Sequence, residues 1–253
     1  INPITNQEYG PSWAVLKLTD DNSYEEMCGC NGGCAYVIKV SRCQCAHWQM
    51  NVGDFIGYSK ATGKNAILVM PEACFEAAKD DYQGHSYNEC FLRQYEPPVL
   101  IHSTPMDSWK QIQHDGMLKS WNRLKADRAI TEEQPIGKQL GDPEDFSDYI
   151  MFGGGVTGEI VLNSKQQGKI VMDPNAKYLT GARLYFDAKK MAHDGLLIRD
   201  GCHVKVKNTL PLSPYLVWAA TWDVIGLASP FSTPKIFAAQ ADRQFQLMGY
   251  KID

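Results

Sequence analysis

The chain has 253 residues, 44% of them apolar and 21% charged, with a formal net charge of −4. That length suits one large domain or two modest ones, and the composition is that of a globular chain, which excludes a disordered one. No apolar run approaches a bilayer crossing, the longest lying near residues 215–220, and the acidic balance excludes a generally basic nucleic-acid binder. The opening Ile1-Asn2-Pro3 has neither the basic nor the apolar region of a signal peptide and reads as a processed start.

In chain order, short β-prone pieces are expected at residues 13–18, 35–40 and 65–70, broken by Gly, Asn and Asp, with a helix over 72–79 behind Pro71. Cys28, Cys30, Cys34, Cys43, Cys45, Cys74 and Cys90 crowd into this part, and Cys202 stands alone downstream. Spacings of C-x-C-x3-C and C-x-C lack the paired knuckles of a zinc site. An even number of cysteines in a Gly-punctuated, acidic segment predicts a disulfide framework and a secreted protein, with a metal site or free thiols as the alternatives. Cys202 would bridge back to the first half. Glu96-Pro97-Pro98 sets the domain boundary, giving a small disulfide-rich β domain over residues 1–97 and a second domain over 98–253.

The second domain opens with a strand over 99–102. Thr104, Pro105 and Asp107 then signal a helix start, Met106, Trp109 and Ile112 share a helical face, and Gly116 ends it. Further strands are expected at 149–152, 159–162, 169–172, 183–186, 204–207 and 216–222. A short helix over 187–193 closes at Gly195, and a final helix starts from Thr233-Pro234. Many short strands and few helices make an α+β fold on a split or sandwiched sheet. Charge is banded: residues 116–130 carry +3, 131–175 carry −5 and 176–207 carry +4. Residues 153–158 satisfy G-x-G-x-x-G, but a strand expected directly after them favours a plain glycine loop over a dinucleotide fingerprint. No G-x-S-x-G or H-E-x-x-H occurs.

His102 stands out, ending a short apolar strand just before a helix. The run Ile101-His102-Ser103-Thr104, Ser108-Trp109-Lys110-Gln111-Ile112, Asp115-Gly116-Met117-Leu118 and Asn122-Arg123 resembles the second lobe of the NAD-dependent RNA 2′-phosphotransferases of the ADP-ribosyltransferase superfamily. Residues 185–195, with Tyr185-Phe186-Asp187-Ala188-Lys189 and Asp194-Gly195, and the later Leu210-Pro211 and Pro214-Tyr215 extend the likeness over roughly residues 99–216. Ser103 replaces the family's glycine, the His-x-His after Asn-Arg is absent, and a cysteine-rich segment occupies the place of the family's arginine-bearing N-terminal lobe.

The resemblance implies an ADP-ribosyltransferase-like split β-sheet domain that takes NAD as substrate. His102 would bond a ribose hydroxyl, Ser103 and Thr104 would line the same wall, Arg123 would clamp a phosphate, and Arg183 is a looser candidate beside them. No Glu follows Glu159, so a late catalytic Glu is impossible, which favours an already ionised acceptor such as a phosphate. The expectation is a secreted, monomeric toxin or effector acting on NAD and a macromolecular acceptor or host protein, with no membrane partner and with His102 and Arg123 as its catalytic pair. The alternative is a catalytically silent effector that keeps the fold and engages a host partner.

Overall fold

Ala14, Leu16 and Leu18 are buried and alternate with more exposed neighbours along Trp13–Thr19, and this period of two makes β1 a strand with one face on a core. The computed structural model describes residues 6, 10, 12–21, 26–28, 36–82 and 86–252. After β1 come β2 (Glu26–Cys28), β3 (Tyr36–Ser41), α1 (Trp48–Ala61), β4 (Asn65–Val69) and α2 (Glu72–Tyr82). Next are β5 (Val99–Thr104), α3 (Met106–Asp115), β6 (Met117–Lys119), α4 (Trp121–Ala126), β7 (Tyr149–Met151) and α5 (Thr157–Gln167). The chain closes with β8 (Tyr178–Leu179), β9 (Ala182–Asp187), α6 (Ala188–His193), β10 (Ile198–Arg199), β11 (Val204–Lys207), β12 (Thr209–Pro211), β13 (Leu216–Ala220), β14 (Phe231–Ser232) and α7 (Pro234–Leu247). The architecture is mixed α+β with several small sheets.

Two units cluster. Unit 1 is Ile1–Glu89 with Gly137–Phe146 and Leu197–Lys205, and unit 2 is Cys90–Ile136, Ser147–Leu196 and Val206–Asp253. Two downstream segments thus join the first unit, where the proline boundary had suggested one contiguous break at residue 97.

Unit 1 carries a four-stranded sheet in the order β2-β3-β1-β4, in which β1 runs parallel to both β3 and β4. Parallel strands need a crossover, and α1 supplies it from β3 to β4, which flank β1 on either side. It presents Val52, Phe55 and Ser59 as a buried stripe at helical spacing. The sequence reading expected only β pieces and one helix here. Gly53 and Gly57 weaken local helix propensity, and tertiary burial overrides them. The expected disulfide framework is not seen: Cys43, Cys45, Cys74, Cys90 and Cys202 form no disulfide among the described residues. Buried Cys74 instead accepts a hydrogen bond from Arg42 Nη1 at 3.0 Å. Cys30, Cys34 and the Cys28 side chain lie outside the described residues.

Unit 2 is built on the antiparallel sheet β13-β9-β5, with Ser103 opposite Arg183 and His102 opposite Leu184. One sheet face packs Val99, Ile101 and Tyr185 against Phe237, Ala241 and Phe245, a stripe along α7, and the Tyr185 and Phe245 rings stack at 4.3 Å. Thr233 caps α7 through the Ile236 amide, and Gly116 ends α3 in the left-handed region at φ 68°, as their sequence signals require. Thr104, by contrast, is the buried last residue of β5 and caps nothing; Pro105 fills the cap position of α3. Residues 159–162 are helical, within α5, and 169–172 form a loop, so neither is the strand expected.

Gly181 sits where the chain enters β9. A Cβ placed there would lie 1.9 Å from the Thr104 carbonyl oxygen, so the two strands approach only because the residue is glycine. Gly181→Ala is expected to destabilise the protein by about 1–3 kcal/mol, read as a lower urea midpoint at unchanged m-value.

Candidate functional site

The site is assembled at the end of β5, in unit 2. His102 Nδ1 lies 3.0 Å from the Met151 carbonyl oxygen, and the Gly153 amide donates to the Ile101 carbonyl at 2.9 Å. These two bonds strap the segment leaving β7 alongside β5. A carbonyl only accepts, so Nδ1 carries the proton and Nε2 keeps its lone pair. The Phe152 ring stands edge-on to the imidazole at 6.2 Å. Burial pushes the His102 pKa below its ordinary value, and the Lys165 ammonium on α5 lowers it further against the opposing Met151 bond. The imidazole is therefore neutral at physiological pH.

Beside it runs Gly153-Gly154-Gly155, between β7 and α5. Strand, glycine turn and helix follow one another here, the context that a G-x-G-x-x-G turn requires. Gly155 takes φ 53°, and a Cβ at Gly154 or Gly155 would meet open space. At Gly158 a Cβ would lie 2.6 Å from Ser103 Oγ, so the last glycine lets α5 close on β5. The first-turn amides of α5 have no partners inside the helix and carry its positive dipole end. Lys165 also holds the Glu132 carboxylate low, as does Lys125 from α4, though the Glu132 backbone amide is the larger cause.

The candidates fall into three places. Ser103 and Arg183 face the core side of the sheet: Ser103 Oγ donates to Glu159 Oε1 at 2.5 Å, and Arg183 Nη1 reaches the same oxygen at 3.4 Å. Arg183 and Glu159 are wholly buried. Arg183 also forks onto Asp242 through Nε at 3.0 Å and Nη2 at 3.1 Å, while Tyr178 and Tyr185 donate to Glu159 and Asp242. Arg183 is thus a buried core ion-pair residue, and the Ser103 hydroxyl, partly buried, is turned onto Glu159. Thr104 is buried as well. Arg123, half exposed, pairs with Asp127 one turn along α4 at 3.1 Å. Among the described residues no contact joins it to His102.

Sequence reasoning passed over the Met151 carbonyl and the role of the glycine turn, because 159–162 read as a strand. Glu159, Leu162 and Asn163, spaced as one helical face and all buried, were the signal to the contrary. No group of three or more His, Cys, Asp or Glu able to hold a metal occurs among the described residues, and no described helix is long and apolar enough to cross a membrane. Comparison with known protein families, curated proteins and solved structures finds no match.

Proposed function

We propose that unit 2 binds NAD at the end of β5 in the manner of an ADP-ribosyltransferase-like domain, the chain acting as a secreted toxin or effector. The observation that carries the reading is the Nδ1 bond from His102 to Met151. It leaves Nε2 as a neutral acceptor on a residue whose neighbouring segment is a glycine turn leading into a helix. A ribose hydroxyl matches the first feature and a pyrophosphate the second. Cleavage of the nicotinamide–ribose bond builds positive charge on the ribose, and an uncharged imidazole tolerates that charge where an imidazolium would oppose it. Short, separated antiparallel sheets suit the split-sheet architecture of such a domain. With no Glu after position 159, an acceptor that is already ionised, such as a phosphate, fits best.

His102→Ala is expected to weaken NAD binding about tenfold, the worth of one hydrogen bond, with the far-ultraviolet circular dichroism spectrum unchanged. Calorimetric titration measures it; absence of heat with the unaltered chain at saturating NAD removes the reading. A second reading, a catalytically silent effector, draws on the burial of Arg183 and the engagement of Arg123 by Asp127, which hold both expected guanidiniums in ion pairs within the protein. Release of nicotinamide from NAD separates the two.

A further inference from the structure

On the two-stranded sheet of β8 and β14 the side chains alternate. Tyr178 is buried and donates to Glu159, while its neighbour Leu179 turns outward. Phe231 stands directly opposite Leu179, and directly opposite residues share a face of a sheet. An aromatic ring and an isobutyl group thus stand side by side in solvent, 65% and 44% exposed. The backbone beneath them is pinned: the Gln166 side chain donates to the Leu179 carbonyl at 2.6 Å and accepts from its amide at 3.1 Å. The Thr180 amide and hydroxyl both donate to the Pro230 carbonyl at 2.9 Å. Met172 and Ile236 are exposed too, on segments joined by the bond from the Lys235 amide to the Pro174 carbonyl at 3.0 Å. The outer face of a surface sheet ordinarily carries polar side chains, so a large apolar pair there marks a contact surface.

The charge along these segments is positive. Lys177 lies two residues before Leu179, the spacing that puts two side chains on one face of an extended chain, and Lys235 adjoins Ile236. Both lysines are exposed, and neither side chain has an ion pair among the described residues. Over residues 160–182 Asp173 is the one acid against Lys165, Lys169 and Lys177, and its Oδ1 accepts the Asn175 amide at 2.9 Å. Residues 224–241 contain Lys235 and no acid. In a chain of net charge −4 this is a local reversal of sign.

We propose that this face of unit 2 lies on an anionic membrane surface. Phe231 and Leu179 would enter the boundary between headgroups and acyl chains, and Lys177 and Lys235 would meet the anionic headgroups. A soft apolar layer accepts side chains that project, whereas a bound peptide asks for a groove, and Phe231 at its exposure projects. A second copy meeting the same face about a two-fold axis would set lysine against lysine. Binding of this kind lies on the bilayer and asks for no helix that crosses it. It requires no ligand at the end of β5.

The test is sedimentation of the full chain with vesicles of phosphatidylcholine alone or of equimolar phosphatidylcholine and phosphatidylserine. Binding is expected to the anionic vesicles only, and is expected to be released at about 0.5 M salt, where surface charges are screened. Phe231→Ser should weaken the partition about tenfold, through loss of one apolar side chain from the interface. Lys177→Gln combined with Lys235→Gln should weaken it roughly 25-fold, about fivefold for each lysine. Lys189→Gln, at an exposed lysine on α6, should leave it unchanged. All the replaced side chains are exposed, so each variant is expected to keep the circular dichroism spectrum of the unaltered chain. Should Phe231→Ser not keep it, the lysine variants decide alone. Equal sedimentation with both kinds of vesicle, or equal losses in Lys189→Gln and in the paired lysine variant, overturns the proposal. A dimer that Phe231→Ser dissolves, with no vesicle binding, overturns it as well and assigns the face to a second copy.

Discussion

Arg183→Met is expected to cost about 3–5 kcal/mol of unfolding free energy, a large part of what holds a domain of this size together. The guanidinium pairs with two carboxylates: Glu159, wholly buried, and Asp242, which it grips with both arms of its fork. Removing it strands a carboxylate with no access to water, and Ser103 and Tyr178 donate to Glu159 without neutralising it. Adding Glu159→Gln to Arg183→Met should return a substantial share of the loss, since the amide keeps hydrogen-bonding capacity and carries no charge. Equilibrium unfolding in urea of the single and double variants measures both numbers. A single-variant cost under about 1 kcal/mol would show that the cluster bears little of the stability.

Lys205→Met is expected to be comparably damaging in unit 1, by about 3 kcal/mol, and to change how stability depends on pH. The ammonium is wholly buried, 4.0 Å from the Tyr58 ring centroid and 4.1 Å from that of Phe146, and it pairs with Asp200, itself 2% exposed. Burial alone would raise the Asp200 pKa. His203 and Lys205 outweigh burial and hold it well below the ordinary carboxylate range. A carboxylate depressed in the folded state stabilises above its unfolded pKa of about 3.9, and that contribution is lost as pH falls through the lower folded value. Without Lys205 the folded pKa moves up, so acid unfolding should begin at higher pH in the variant. Urea midpoints collected from neutral pH down to about 2 track the displacement; parallel curves for the two proteins would refute it.

Legibility in the sequence followed the range of the forces involved. Gly116, Thr233-Pro234 and the alternation along residues 13–19 could be read directly, because a left-handed cap, a side-chain cap and a strand face are decided within a few residues. His102 was legible as a candidate from its place in a short apolar strand just before a helix, although the strand runs on to Thr104. Its tautomer was not, since that rests on a carbonyl 49 residues away. Arg183 misled for the same reason: nothing near it in the chain announces that Asp242, 59 residues on, will turn a ligand-type guanidinium into a core ion pair. Residues 159–162 read as a strand behind the glycine run yet lie within a helix, whose face is marked by the spacing of Glu159, Leu162 and Asn163.

What the residues determined by themselves is therefore local: where helices cap and stop, which strands bury one face, how charge is banded, and that the fold mixes helices with short strands. The tertiary structure alone decided that β1, β3 and β4 lie parallel through α1, that residues 137–146 and 197–205 join the first unit, and which buried charges meet. Parallel pairing and buried ion pairs join groups tens to hundreds of residues apart, and their worth depends on the exclusion of water, a property of the packed molecule that no short stretch of chain contains.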